Sequence, residues 1–430
     1  MTTGLLKREI RATESQWTPV DLNDGDVEAL LSVREEWAKE KDPRFYSYAI
    51  DDDGNDETTK ILDVRREKNG TIELKVNDAI GAIDLPDSVI VVHPKIPIAH
   101  FNYIASHALA APDRNNSSQF GLEAANHFLE VVCNWAVQSV EKILRDGLVR
   151  GYSEQLVDSR AIRGRLDISD AIKKFHSGRL NFESTVDEFS ADVALNRVLK
   201  QCLTFVVGNP LLSPELQKRA RRALFSFIDV GPMASSDLRV KTNRNSLHYA
   251  DAFEFAKNVL EKSGRDLRTG QRKSRSFLYK TPLLIEEGIR NIVQADLRPT
   301  HVAKPPQKAL KSTTGQKLSA NPDIGIGGAP IYTGDVKYKI QTKNWRRADL
   351  AQAVFFAVAY DSPKALVIDF ADDRSVLNGT VAVSDLEVTP VSWNTSESMT
   401  PLDARRALGE EITSWLSSSS LFFPRTLKAS

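Results

Sequence analysis

The stretch from Asn321 to Ile340, NPDIGIGGAPIYTGDVKYKI, constrains the chain more than any other. Two β-branched runs flank a Gly-Gly-Ala-Pro break, which reads as a hairpin over residues 322–340. Side chains of a strand alternate between faces. Asp335, Lys337 and Lys339 therefore share one side, and Val336, Tyr338 and Ile340 take the other. An earlier aspartate, Asp323, opens the first strand, and its face depends on the parity of the loop. A three-residue loop, Gly328-Ala329-Pro330, sets Asp323 opposite Asp335, whereas an even loop sends the two carboxylates to opposite faces. Pairing them needs the odd loop or a bulge, for which Gly334 is the expected position.

Two carboxylates held side by side repel one another unless a cation sits between them. Mg²⁺ suits the place, with its hard oxygen ligands, partial hydration and affinity for phosphate oxygens. A lysine two residues beyond the second carboxylate reaches the same pocket, where it can orient or activate a water and offset charge on a pentavalent phosphate. The parts fit phosphodiester hydrolysis. A surface hairpin with solvated lysines is the plainer alternative.

The flanking helices add to the set. In the helix expected over Thr281 to Asp296, Ile285, Ile289, Ile292 and Val293 form an apolar arc with Glu286 at its inner border. A half-buried glutamate needs a partner or a metal, and Arg290 is the alternative partner. The helix expected from about Asn344 to Tyr360 is apolar nearly all round from Ala353, which predicts burial; Asp349, Gln352, Phe356 and Tyr360 share one of its faces.

Elsewhere the period changes along the chain. Residues 1–110 read as a β-rich domain, with KILDVRRE, GTIELKV and SVIVVHPKI as strands and VEALLSVREEWAKEK as one interrupting helix. Residues 111–263 read as a helical middle domain. Its helices lie in FGLEAANHFLEVVCNWAVQSVEKILRDGL, VALNRVLKQCLTFVVGNP and YADAFEFAKNVLEKSG. The basic segment GRDLRTGQRKSRS reads as a linker into an α/β domain, residues 264–430, with strands KALVIDFA and GTVAVSDLEVTPVSW and a last helix PLDARRALGEEITSWLSS. At 430 residues the chain has room for such a division. The formal net charge is zero, so no global field advertises nucleic acid. Cys133 and Cys202 cannot build a zinc site alone and suggest a reducing compartment. No apolar run approaches a bilayer span, and MTTGLLKREIRATESQW lacks the apolar core of a signal peptide, so the expected location is cytoplasmic.

Local basic clusters remain as phosphate contacts: RAIRGRLD with Arg163 and Arg165, the linker itself, and KNWRRAD with Lys343, Arg346 and Arg347 directly after the hairpin. A solvated face is the ordinary reading of any one of them. His93 and His100 read as loop or core residues. TTGQKLS and RTGQRKS both interrupt the Gly-Lys step, so neither predicts a phosphate-cradling loop.

PD at Pro322-Asp323 and DVK at Asp335–Lys337 resemble the PD-(D/E)xK nuclease signature. With GAIDLPDSVIVVHPKI, GLVRGYSE…IRGRLD, DEFSADVALNRVLKQCL, FLYKTPLLIEEGI, DVKYK and ADLAQAVFF in colinear order over about residues 70–360, the chain resembles the McrC family, the nuclease subunits of McrBC-type modification-dependent restriction systems. Three positions depart: Ile285 and Ala351 stand where the family usually has aromatics, and Phe356 stands in place of a common tyrosine. The resemblance implies a C-terminal restriction-endonuclease-like α/β domain. Lys339, Lys343, Arg346 and Arg347, in and just after the hairpin, are the residues expected to face DNA. The resemblance implies Asp323, Asp335 and Glu286 as ligands of Mg²⁺, Lys337 as the catalytic lysine and Gln352 as a supporting residue. It further implies a McrB-like AAA+ GTPase ring as partner, stimulated by this chain, and double-stranded modified DNA as substrate. A non-catalytic activator of such a ring and a stand-alone nuclease are the alternatives.

Overall fold

In the computed structural model, the residues described are 7–39, 46–50, 56–68, 70–109, 128–161, 164–178, 181–263, 267–269, 272–274, 277–298, 300–310, 318–328, 331–341, 344–373, 375 and 379–418. AIGAID and SVIVVH are buried at nearly every position, as strands covered on both faces must be. They form β2 (Ala79–Asp84) and β3 (Ser88–His93) of a four-stranded sheet completed by β1 (Arg8–Thr13) and by β4 (Phe277–Lys280), in the order β1-β3-β2-β4. β1 runs parallel to β3, and β4 runs antiparallel to β2. Strands Thr18–Val20, Leu62–Arg66 and Ile72–Val76 make a smaller antiparallel sheet. Both contribute to one core, with Leu30, Leu62, Leu74, Ile83 and Ile90 among its members.

After β3 comes α1 (Ile98–Ala108), a helix the sequence reading did not expect; all its residues from His100 to His107 are buried. After β4 comes α2 (Thr281–Asp296), with Pro282 in its first turn and Leu284, Ile285, Gly288, Ile289, Ile292 and Val293 buried along one stripe. α1 and α2 cross at Gly288, where a Cβ would lie 2.4 Å from Ile104 O.

A six-stranded sheet follows. It contains β5 (Val302–Ala303), β6 (Ile324–Ile326), β7 (Tyr332–Ile340), β8 (Lys364–Ala371), β9 (Val381–Val383) and β10 (Leu386–Asn394), ordered β5-β6-β7-β8-β10-β9. The three central strands β7, β8 and β10 are parallel, and the flanking pairs are antiparallel. Between β7 and β8 runs α3 (Arg347–Ala359), whose Ala353 and Ala357 pack on Ala365, Val367, Leu386 and Val388. The last helix, α4 (Pro401–Ser417), lies along β10, and Lys364 Nζ donates to Trp415 O at 2.6 Å.

The chain divides into two compact units, residues 1–128 with 267–430 and residues 129–266. This differs from the three blocks expected at about 110 and 264. The reason is physical: β4 pairs with β2, Trp393 Nε1 donates to His100 Nδ1 at 3.0 Å, and Arg405 reaches Tyr103 Oη at 2.9 Å, so first and last segments share a core. The expected linker holds two short paired strands, Leu267–Thr269 and Arg272–Ser274.

The second unit carries the expected helices as Leu129–Asp146 (continuing from Phe128), Ala194–Val207 and Ala250–Ser263. It also carries an antiparallel sheet of Gly151–Ser159, Phe182–Ser190 and Arg165–Leu166, which corrects its reading as purely helical. Those strands are rich in charged and hydroxyl side chains and give no apolar alternation to read. Cys133 and Cys202 are buried free thiols. Among the described residues no helix is long and apolar enough to cross a membrane.

Candidate active site

β6 and β7 pair as Ile324↔Gly334, Gly325↔Thr333 and Ile326↔Tyr332. One further step sets Asp323 opposite Asp335. The loop is residues 327–331, an odd number, so the parity expected for a shared face holds, although the turn is longer than Gly328-Ala329-Pro330. Ala329 and Pro330 lie outside the described residues. Gly327 enters the turn at φ +87°, a conformation open to glycine.

The irregularity expected at Gly334 lies elsewhere. Gly334 pairs regularly with Ile324, and the slip occurs between Val336 and Ile340. There β7 advances from Val336 to Ile340 while β8 advances only from Ile368 to Phe370. The loosened segment is Lys337–Lys339, and its extra length re-aims the two lysines. Gly334 is small for another reason: a Cβ there would lie 3.3 Å from Ile324 Cβ.

Asp323 Oδ2 accepts from Val336 N at 2.9 Å, which fixes its carboxyl against β7. Arg290 Nη1 donates to Asp323 O at 3.0 Å. Arg290 therefore holds the backbone of Asp323 and is not the partner of Glu286 that the sequence suggested. Glu286, from α2, is close enough to Asp323 and Asp335 for the three carboxyls to disfavour one another's charge. Lys337 Nζ lies 2.7 Å from Asp335 and donates to Gln352 Oε1 of α3 at 2.6 Å. Five residues from the strand pair and two helices thus converge: Glu286, Asp323, Asp335, Lys337 and Gln352.

Electrostatics describes a site short of positive charge. Burial pushes Asp335 up to about 7, against the pull of the Lys337 ammonium. Burial, with Glu286 next in strength, pushes Asp323 up to about 6. Burial likewise raises Glu286, opposed by Lys304, a residue that sequence reasoning missed because it belongs to no pattern. Burial alone would lower Lys337, but the Asp335 carboxylate outweighs it and the amine stays charged. Burial thus disfavours the charged form of all three carboxyls. Asp335 Oδ2 is buried and, despite the nearby amine, receives no well-directed hydrogen bond.

These features fit a hard divalent cation, whose arrival would favour the charged carboxylates and satisfy that oxygen. Among the described residues, no three His, Cys, Asp or Glu side chains are already closed around a metal position.

The expected DNA-facing residues are less uniform. Lys339 is half-exposed and paired with Asp349 at 2.9 Å, so it is not a free cation. Arg346 and Arg347 are exposed at the start of α3, in the lining shared with Lys337 or beside it. Lys343, like Arg163, lies outside the described residues. α3 is less buried than its composition suggested, with Phe355 43% and Val358 67% exposed. His100 is a core residue: Trp393 donates to its Nδ1, and its Nε2 faces Met399 O at 3.1 Å.

The model of the family described as McrBC 5-methylcytosine restriction system component matches residues 74–368. A curated relative, the type IV methyl-directed restriction enzyme EcoKMcrBC of Escherichia coli strain K12, is 23% identical over 128 residues, 30% of this chain and 37% of that protein. The matched segment therefore spans little more than a third of that relative's length. Among solved structures, a refined half-complex from a tetradecameric assembly of Thermococcus gammatolerans McrB AAA+ hexamers with bound McrC is similar with a TM-score of 0.64. The identity is 16%, covering 94% of this chain and all of the matched one. A cryo-electron microscopy structure of the Thermococcus gammatolerans McrBC complex gives a TM-score of 0.47 at 18% identity, over 70% of this chain and 89% of the other.

Proposed function

This chain belongs to the family of McrBC 5-methylcytosine restriction system components, and from that premise we propose that it is the DNA-cutting subunit of such a system. In this reading it is a Mg²⁺-dependent endonuclease with a PD-(D/E)xK site, active when assembled with an AAA+ GTPase ring whose hydrolysis it stimulates. The observation that carries the reading is the opposition of Asp323 and Asp335 across the β6–β7 pair, with Lys337 2.7 Å from the second carboxylate. The ring partner is carried by the likeness to a chain bound to McrB AAA+ hexamers.

Asp323, Asp335 and Glu286 would hold the cation, which when bound supplies Lewis acidity toward a phosphate oxygen. The remaining work falls to this chain's own groups. Lys337, charged and oriented by Gln352, offsets negative charge developing on the phosphoryl group and fixes a water by donation; as an ammonium it is not a base. Arg290 keeps Asp323 aimed by holding its carbonyl. Arg346 and Arg347 contact backbone phosphates and carry no base information.

The test is cleavage of methylated and unmethylated duplexes by this chain with the ring partner, GTP and Mg²⁺. Asp335→Ala and Lys337→Ala should each lower cutting by about 100-fold or more while stimulation of the partner's GTPase stays unchanged. Cutting by both variants at the normal rate would remove the site from this position. A chain that stimulates the ring but never cuts would be an activator alone. Cutting without the partner or nucleotide would instead make it a stand-alone nuclease.

A further inference from the structure

Glu14 follows β1, is 0% exposed, and takes no part in the chemistry above. Thr281 Oγ1 donates to its Oε1. The Tyr338 hydroxyl lies within hydrogen-bonding reach of the same carboxyl, while Glu14 Oε2 and that hydroxyl are both buried and lack a well-aligned partner. Lys95 Nζ sits 4.1 Å from the centre of the Tyr338 ring and 3.8 Å from Asp78, and Thr281 N donates to Asp78 O at 3.0 Å. Burial raises the Glu14 carboxyl to about 7 against the pull of Lys95.

Three segments meet at this one side chain, and two of them carry the candidate active site. Thr281 is the first residue of α2, five positions before Glu286. Tyr338 is the residue of β7 between Lys337 and Lys339, on the opposite face of the loosened segment. The strand slip leaves that segment without a regular register on β8, where the Tyr338 ring packs edge-on against Phe370 at 5.5 Å while its hydroxyl lies toward Glu14. An apolar side chain of similar size would avoid the cost of burying a carboxyl but would leave the buried Thr281 hydroxyl without its acceptor. A stability role and a positioning role are therefore separated by the kinetics below.

We infer that Glu14 is a positioning residue of the nuclease site, holding the start of α2 and the strand β7 at a fixed spacing through Thr281 and Tyr338. The inference rests on the nuclease reading. It makes the first strand of the chain a working part of a site whose ligands lie more than 270 residues later.

The experiment uses the full chain assembled with its ring partner, GTP, Mg²⁺ and methylated DNA. Glu14→Leu, Glu14→Gln and Asp335→Ala are compared for cleavage kcat and KM, GTPase stimulation and the thermal midpoint. Glu14→Leu should lower kcat at least tenfold with KM and stimulation within twofold, measured well below the midpoint of every variant. Glu14→Gln, whose amide oxygen can still accept from Thr281, should return kcat to within threefold of the parent. Normal cutting by Glu14→Leu overturns the inference. So does a loss of kcat that tracks a falling midpoint and is not rescued by Gln. Should Glu14→Leu not fold, Tyr338→Phe decides: kcat reduced at least threefold at constant KM supports the role, and unchanged kcat overturns it. Cutting by Asp335→Ala would sink the nuclease reading itself. An inactive Asp335→Ala beside a fully active Glu14→Leu sinks only the role of Glu14.

Discussion

At Asp323 a single side chain shows what the site costs the fold. Its carboxyl titrates near 6 in the folded chain against an ordinary value of 3.8, because burial and Glu286 disfavour its charge. The folded state therefore holds a proton that the unfolded state has released. The contribution to stability is whole below about pH 4, declines as pH rises toward 6, and stays lost above it. Asp323→Asn keeps an acceptor for Val336 N and removes the charge. In metal-free solution it should be more stable than the parent at pH 8 by about 1–3 kcal/mol, at about 1.4 kcal/mol per pKa unit, and nearly equal to it at pH 4. Denaturant titrations in chelator at both pH values check this, and equal differences at the two would contradict it. Added Mg²⁺ should shrink the gap at pH 8, since only the parent binds it well. Asp335 and Lys337 were legible on one face because strand alternation is arithmetic, whereas Asp323 joined them through the resemblance, since its face hangs on a loop length the sequence left open. Arg290's grip on a carbonyl and Lys304's field on Glu286 were not, since both depend on where separate segments fold back.

Among the elements, α2 was readable from its apolar spacing, α3 from its length and polar first turn, and β8 from the apolar run Ala365–Ile368. α1 escaped because its residues from His100 to His107 are all buried, and a helix covered all round shows no polar face to set the period. The α1–α2 crossing makes a sharp test. Alanine normally favours a helix over glycine by about 1 kcal/mol. At Gly288 the new methyl would stand 2.4 Å from Ile104 O and 2.5 Å from Ile104 Cγ2, both too close to tolerate without movement. Overpacking of this kind costs about 1–3 kcal/mol and should prevail. Gly288→Ala is therefore expected to lower the unfolding free energy by about 1–2 kcal/mol in denaturant titration; a gain in stability would show that the helices are free to part.

For the whole molecule, periodicity marked helices of the middle segment but not that its unit begins at residue 129, nor which segments share a core. Pairing between β2 and β4 spans nearly two hundred residues and leaves no trace in local pattern. The block from residue 264 onward, which the sequence presents as a domain, should therefore fail to fold alone. It would expose the edge of β4 and the face of α2 that α1 covers. Residues 1–128 joined by a short linker to 267–430 should instead unfold cooperatively. Calorimetry or amide-proton dispersion of the two proteins checks the pair, and a cooperative transition in the 264–430 fragment would show that the first segment is dispensable.

The return of the chain at Leu267 to a unit begun before Phe128 also sets a timetable for synthesis. A ribosome makes the first sheet's early strands long before the six-stranded sheet that carries the acidic pair. Until residue 280 emerges the nascent first sheet keeps an open border, and no acidic pair exists until residue 335 has been added. A message broken anywhere before that point yields a chain that lacks Asp335 and everything after it, including β8, β10 and α4.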